Sequence, residues 1–520
     1  MSRIVQLFLM LIASISASAQ ITFQKTYGDS TVNDIGQSIL QTGDGGYLIA
    51  ATRYTTGNQI ESLFLIRTDG IGDTLWTTNV NESTVNYSGA QVIQTYDGGF
   101  AITGIKGSTN TLVPYLLKID AAGNMLWNKT YLWFAQERIN SIVQTPDSGF
   151  LLAGYLYNGN DLVYFIRTNS AGDTLWTKSY KENLFNATIY SVRMTPDGGF
   201  VAAGFIQNTG TQDVDAFLFK TDAAGNFLWA KGYGGTGYDY AQQVEVMPDS
   251  GFAIAAVTYS FGAGLADFYL IRTDSAGNPL WSKTYGGASD DRSESIRSTP
   301  DGGLLFTGEA ASFSFGNFDV YMIMTDANGD TIWTKTVNGL ENNEGYSLDM
   351  TDDGGFAITG TYFNQFSNND VFFLKADASG FMGCSEVSVP TVTTTPSTQV
   401  FNHQLNFLPS EPLVNAHALI ENKGTRIETL CFSDGIKEES LEDDLVIYPN
   451  PSKGKLAVCS MQSAIKSMEI YSIIGKQVLA FRFMQLRQRA DFDVSALSSG
   501  IYFIKVHTEN RCVIRKIVKE

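Results

Sequence analysis

The first 383 residues of this 520-residue chain contain no cysteine; the four present are Cys384, Cys431, Cys459 and Cys512. A main body without them has no disulfide staple and must hold together by burying apolar surface. Histidine is almost as scarce, with His403, His417 and His507 all lying beyond that body. Serine–histidine and cysteine–histidine catalysis and histidine-ligated metals are thereby excluded from the main body. Basic residues are few, 35 Lys and Arg against 53 Asp and Glu, for a formal charge of −18. Nucleic acid, which needs dense cationic charge to neutralise phosphates, is excluded as a partner. Past the N-terminus no apolar stretch is long enough to cross a bilayer as a helix, so no transmembrane span is expected. No phosphate-cradling loop or dinucleotide fingerprint occurs, and no vicinal cysteines support a quinoprotein.

What the chain has is glycine (50), phenylalanine (33) and tyrosine (24), a composition suited to short strands and tight turns. Its start has the form of a secretory signal. Arg3 gives a basic head, Ile4 to Ile15 a mostly apolar run, and Ala17-Ser18-Ala19 a small-residue cleavage site before Gln20. Residues 1–19 are therefore expected to be a signal peptide.

Internal repetition is the strongest signal. Asp-Gly-Gly or Asp-Ser-Gly followed by an apolar residue begins at Asp44, Asp97, Asp147, Asp197, Asp249, Asp301 and Asp353, at intervals of 53, 50, 50, 52, 52 and 52 residues. A tryptophan after a glycine-containing turn recurs at Trp76, Trp127, Trp176, Trp229, Trp281 and Trp333. Each repeat reads as four short strands joined by turns whose glycines supply positive φ, the signature of propeller blades. The tryptophans read as packing between blades. Seven triplets but six such tryptophans leave one blade short of a strand. The N-terminal Ile21-Thr22-Phe23-Gln24-Lys25-Thr26-Tyr27-Gly28 copies Leu280-Trp281-Ser282-Lys283-Thr284-Tyr285-Gly286, with Phe23 in the tryptophan slot. Residues 21–27 are thus expected to complete the last blade and leave no open edge between first and last. The predicted fold is all-β: a seven-bladed β-propeller over 20–384, then a small C-terminal β-sandwich.

The hairpin from Thr273 to Trp281 resembles the Asp-box turn of sialidase-type propellers, though one residue longer. The Gly-Gly pairs are similar to those of kelch repeats, while the aromatic spacing departs from them. As a whole the array resembles the Asp-Gly-Gly/Trp propeller repeats common in type IX-secreted proteins, some of them loosely called endoglucanases. Fold alone does not carry such an activity over.

Between 385 and 444 the pattern lapses into Val/Thr/Ser/Pro-rich and then charged sequence, expected to be a linker region. Strand-like patterning returns from Leu445-Val446-Ile447-Tyr448-Pro449-Asn450-Pro451 through Met468 to Lys476 and ends with Gly500 to Val506 and Arg515 to Lys519. Residues 445–520 resemble the type A C-terminal sorting domain of the type IX secretion system, with three blocks in the right order. The resemblance implies an Ig-like sandwich that engages the type IX secretion machinery, with the body released or attached at the cell surface. Four cysteines in an exported chain allow three pairings, of which Cys384–Cys431 and Cys459–Cys512 are favoured.

If the body were an enzyme it would have to work with carboxylates, tyrosines or calcium. Ten residues before the triplets stand Asp34, Glu137, Asp239 and Asp291; seven before the third-strand turn stand Asp215, Asp267, Asp319 and Asp370. Propeller topology brings both loop types to one face. The first set, with Trp133, Tyr238 and Tyr240 as exposed aromatics, is the expected contact surface for a glycan or protein. The second set is the candidate for calcium; no cofactor is required. A residue recurring in most blades more often caps its own turn than reacts. The leading expectation is therefore a secreted or surface-displayed, non-catalytic binding or scaffold module, monomeric. The alternative is a carbohydrate-active hydrolase using two rim carboxylates.

Overall fold

The structure is a computed structural model and describes residues 20–519 with interruptions, the longest at 56–60, 434–444 and 449–453, and with 133–136, 384–385 and 422–425 among the shorter. The signal segment 1–19, Trp133 and Cys384 lie outside the described residues, as do the side chains of Cys431, Cys459 and Cys512. Among the described residues every regular element is a strand. The chain divides into two compact units, one of Thr22–Phe432 and one dominated by Ser433–Glu520.

The larger unit is a succession of seven sheets; six are built on four strands consecutive in sequence, and the seventh on three together with the N-terminal strand. The fifth is typical: Asp239–Val246, Phe252–Thr258, Asp267–Thr273 and Pro279–Gly286 pair antiparallel in that order. Its second and third strands are buried along their whole length, because both faces are covered. Ile254, Ala256, Tyr269 and Ile271 pack toward the fourth sheet, while Ala253, Ala255, Phe268 and Leu270 pack toward the sixth. Period-2 alternation splits one strand between two cores, which is why these strands read as continuous apolar runs.

A repeated clamp joins neighbours. The hairpin turn before each fourth strand carries a glycine at positive φ, and the fourth-strand tryptophan of the preceding sheet lies over it: Trp229 on Gly277 and Trp281 on Gly329. Four residues on, a buried tyrosine donates to the same glycine's carbonyl, at 2.7 Å for Tyr233 on Gly277 and 2.6 Å for Tyr285 on Gly329. Thr22–Gly28 pairs with Asp370–Ala376 as the fourth strand of the seventh sheet. Phe23 then covers Gly72 of the first sheet, and Tyr27 donates to the Gly72 carbonyl at 2.6 Å. The N-terminal strand thus performs the tryptophan strand's work, between the last sheet and the first.

Hydrogen bonds between the first strands run the same way. Backbone N–H groups of Val92, Val192, Val244, Leu348 and Ile39 donate to the hydroxyls of Ser38, Ser141, Ser191, Ser295 and Ser347 on the preceding sheet, at 3.2, 3.0, 3.4, 3.1 and 3.2 Å. Ile142 and Ile296 donate instead to the amide oxygens of Gln91 and Gln243, at 2.8 and 2.6 Å. Followed from sheet to sheet, the seven bonds return to their start.

The segment expected to be a linker is not one over most of its length. Seven short strands between Glu386 and Ser433 each add a fifth strand outside the fourth strand of a sheet. Glu386–Ser388 joins the sixth sheet, Val392–Thr394 the fifth, Gln399–His403 the fourth, Asn406–Ser410 the third, Leu413–Asn415 the second, Leu419–Glu421 the first and Arg426–Ser433 the seventh. This belt visits the sheets in reverse order and pairs every outer edge, which would otherwise present unpaired backbone groups to solvent.

In the smaller unit one sheet holds Leu445–Tyr448, Lys455–Ser460 and Arg489–Asp493, and another holds Gln477–Arg487, Ile465–Ser472, Gly500–Thr508 and Cys512–Lys519. Leu456, Val458 and Ala490 of the first share one core with Met468, Ile470, Ile504 and Ile517 of the second.

Candidate functional site

Each first strand of the larger unit carries a bulge at the same place, leaving Gln37, Ala90, Asn140, Tyr190, Gln242, Glu294 and Tyr346 without a cross-strand partner. A bulge turns its side chain out of the ladder. Six of these seven line a single cavity of about 650 Å³, walled by the first strands of all seven sheets. The lining is polar. Amides of Gln91, Gln94 and Gln243 join those at the bulges, and Arg193–Glu245 and Arg297–Asp349 pair as ions at 3.5 and 3.4 Å. Gln242 donates to Glu294 at 2.9 Å, bulge to bulge.

Beside the channel stands a group of acids that the sequence reading did not single out. Glu309 is buried on a second strand, opposite Arg292 in the cross-strand register and 3.4 Å from its guanidinium. Burial, and next the charge of Glu344, push the Glu309 carboxyl up to about 7, with Arg292 opposing. Glu344 also accepts from the Tyr346 hydroxyl. Burial first, then Glu309 and Glu344, push Glu294 up to about 8 against the hydrogen bond from Gln242 and the charge of Arg292. None of the three recurs in the repeat: the slot of Glu309 holds Tyr155, Phe205 and Val257 in the third, fourth and fifth sheets. The signal that could have found them was this departure from the repeat, not recurrence within it.

The recurring carboxylates lie elsewhere. Asp34, Glu137, Asp239 and Asp291 are fully buried. Asp34 is held by two 2.7 Å bonds from Arg53. Asp239 accepts from the Gly235 N–H at 2.8 Å and the Ser260 hydroxyl at 2.6 Å, and Asp291 from the N–H groups of Gly287 and Ser312 at 2.7 and 3.1 Å. Asp239 and Asp291 cap turns, Asp34 is paired with Arg53, and none of the four offers its carboxylate to solvent. The contact surface expected from them is therefore not formed by these four; of that set, Tyr238 is 54% exposed and Tyr240 partly so. Asp215, Asp267, Asp319 and Asp370 occupy four successive sheets and do not converge on one point. Two of them instead meet a member of the first set across a seam between sheets, Asp215 with Asp239 and Asp267 with Asp291. Among the described residues no group of three or more His, Cys, Asp or Glu is placed to hold a metal. The triplet aspartates serve their turns: Asp147 accepts from Thr145, Gly149 and Arg167, and these bonds hold its carboxyl down at about 2.

Residues 446–520 match the secretion system C-terminal sorting domain family. The tail marks the chain for type IX secretion, as a protein secreted or attached at the cell surface, and implies engagement of that machinery. No helix of the described residues is long and apolar enough to cross a membrane. No curated protein matches the chain. Among solved structures, it is similar to a protein of unknown function from Dyadobacter fermentans, with 9% identity, TM-score 0.38, and coverage of 69% of this chain and 99% of that one. It is also similar to Sqt1 from Chaetomium thermophilum, with 11% identity, TM-score 0.38, and coverage of 70% and 90%. Scores this low decide neither fold nor function.

Proposed function

We propose that the body is a seven-bladed β-propeller, exported by type IX secretion, that acts as a non-catalytic binding module for a polyhydroxylated ligand such as a glycan. Seven four-stranded repeats, a hydrogen-bond circuit that returns to its start, and an N-terminal strand completing the seventh sheet support the propeller. The observation that carries the binding site is the bulge repeated in all seven first strands, which turns six described polar or aromatic side chains into one cavity of about 650 Å³. That volume falls within the usual range for small-ligand sites. Amides and hydroxyls supply both donors and acceptors, and Tyr190 and Tyr346 supply ring faces for sugar stacking.

The hydrolase alternative draws on Glu309, an acid poised near neutrality beside a carboxylate. A retaining glycosidase holds its two carboxyls about 5 Å apart and an inverting one farther. The cavity of about 650 Å³ is lined by neither Glu309 nor Glu344, so a ligand held there does not meet this pair. Binding without turnover is thus the better reading. Calorimetric titration of the full secreted chain with soluble oligosaccharides tests it through Gln242→Ala and Tyr190→Ala. Each should weaken the ligand about tenfold, the equivalent of roughly 1.4 kcal/mol. Unchanged affinity in both variants would remove the channel as the site.

A further inference from the structure

The seams between successive sheets carry a charge problem solved differently from one seam to the next. Where the seventh sheet meets the first, Asp370 lies against Gly28, the Asp34 N–H donates to the Asn369 carbonyl at 2.8 Å, and Arg53 neutralises Asp34 through its two bonds. Where the sixth meets the seventh, Asn343 takes the place of the second aspartate beside Asp319, so one charge is removed at the outset. Where the fifth meets the sixth, neither device is present. Asp267 and Asp291 face each other across Gly286, and a Cβ on that glycine would collide with Asp267 Oδ1 and stand 2.9 Å from Asp291 Oδ2. Asp267 is only 1% exposed. Its Oδ2 accepts from the Ala263 and Gly264 N–H groups at 2.8 and 3.2 Å, but Oδ1, aimed into the space that Gly286 leaves, has no hydrogen-bond partner.

The seam between the fourth and fifth sheets repeats this. Asp215 and Asp239 meet beside Gly234, where a Cβ would collide with Asp215 Oδ1 and stand 2.6 Å from Asp239 Oδ2. Asp215 Oδ1 and Asp239 Oδ1 are both buried without a partner. Asp213 adds further negative charge. Carboxylates that meet in this way, with a buried oxygen left without a donor at Asp215, Asp239 and Asp267, are costly, since repulsion is poorly screened away from water.

We infer that the two seams, Asp215 with Asp239 and Asp267 with Asp291, are divalent-cation sites that take calcium. The ligands are all hard oxygens, and two carboxylates match a double positive charge. Calcium completes its six to eight ligands with water and backbone carbonyls where side chains are few, and modules exposed outside the cell bind it at about 0.1–1 mM. Glycine at 234 and 286 is required because a Cβ would overlap the aspartate oxygen that lies against it. The inference is independent of the channel's ligand: calcium would fasten sheets four, five and six to one another.

The test uses the full secreted chain, stripped with a chelator and titrated with calcium chloride alone. Calorimetry should count two calcium ions, and the melting temperature should rise by several degrees. Asp267→Asn should lose one ion and Asp215→Asn the other, each with part of the thermal shift. The wild-type count stands even if a variant fails to fold. Absence of calcium binding, or binding unchanged in both variants, would overturn the assignment. So would Asp267→Asn stabilising the chain with calcium making no difference, which would mean that the pairs share a proton instead.

Discussion

Glu309 and Glu294 are held above the ordinary glutamate range by burial and by one another, and this fixes the sign of their effect on stability. Their folded values, about 7 and about 8, exceed the unfolded value, so the folded state binds more protons in between. What they contribute is fully present below about pH 4.3 and is lost as pH rises through 7 and 8. Thermal melts of the wild type should therefore show stability falling from pH 5 to pH 8, and Glu309→Gln should flatten that fall; an unaltered slope would contradict the account. At the clamps, Gly277 sits at φ +74° under Trp229, where a Cβ would stand 2.7 Å from the indole. Gly277→Ala should cost about 1–3 kcal/mol in denaturant unfolding. Removing the tyrosine hydroxyl, as in Tyr285→Phe, strands the buried Gly329 carbonyl and should cost about 1–3 kcal/mol. These positions were legible from the repeat alone, because a turn glycine and the tryptophan that covers it recur together. The acids beside the channel were not, since a residue that breaks a repeat has no second example to mark it.

At the scale of elements, the belt between Glu386 and Ser433 is where sequence reading fell short. Most of its strands have three to five residues, too short for an alternation pattern. Their strand character comes from the edge each one meets, not from their own residues. Thr393 and Thr394 thus read as linker yet pair with Tyr285 and Thr284. Deleting 386–433, with the sorting domain rejoined, should uncover seven sheet edges. Light scattering after size exclusion should then show self-association where the intact chain runs as a single species. A deletion variant that behaves like the intact chain would mean that the fourth strands need no cover. The bulges were equally hidden. A residue left out of the ladder is set by register between strands, and the triplet spacing fixes where strands lie but not how they pair.

For the molecule as a whole, the N-terminal strand decides whether the succession of sheets closes. The likeness of Phe23 and Tyr27 to Trp281 and Tyr285 predicts that residues 21–27 serve the last repeat. In the structure Phe23 pairs with Lys375 and Tyr27 with Val371. Removing Thr22–Gly28 takes a central strand from the seventh sheet together with the clamp on Gly72, so the melting temperature should fall steeply. The measurement that bears most directly on the central claim is a polysaccharide and oligosaccharide binding screen on the full secreted chain, scored at once for retention and for released reducing ends. The account predicts retention of at least one glycan with no product. Released sugar would establish the hydrolase instead, and silence across the whole panel would contradict a glycan-binding channel.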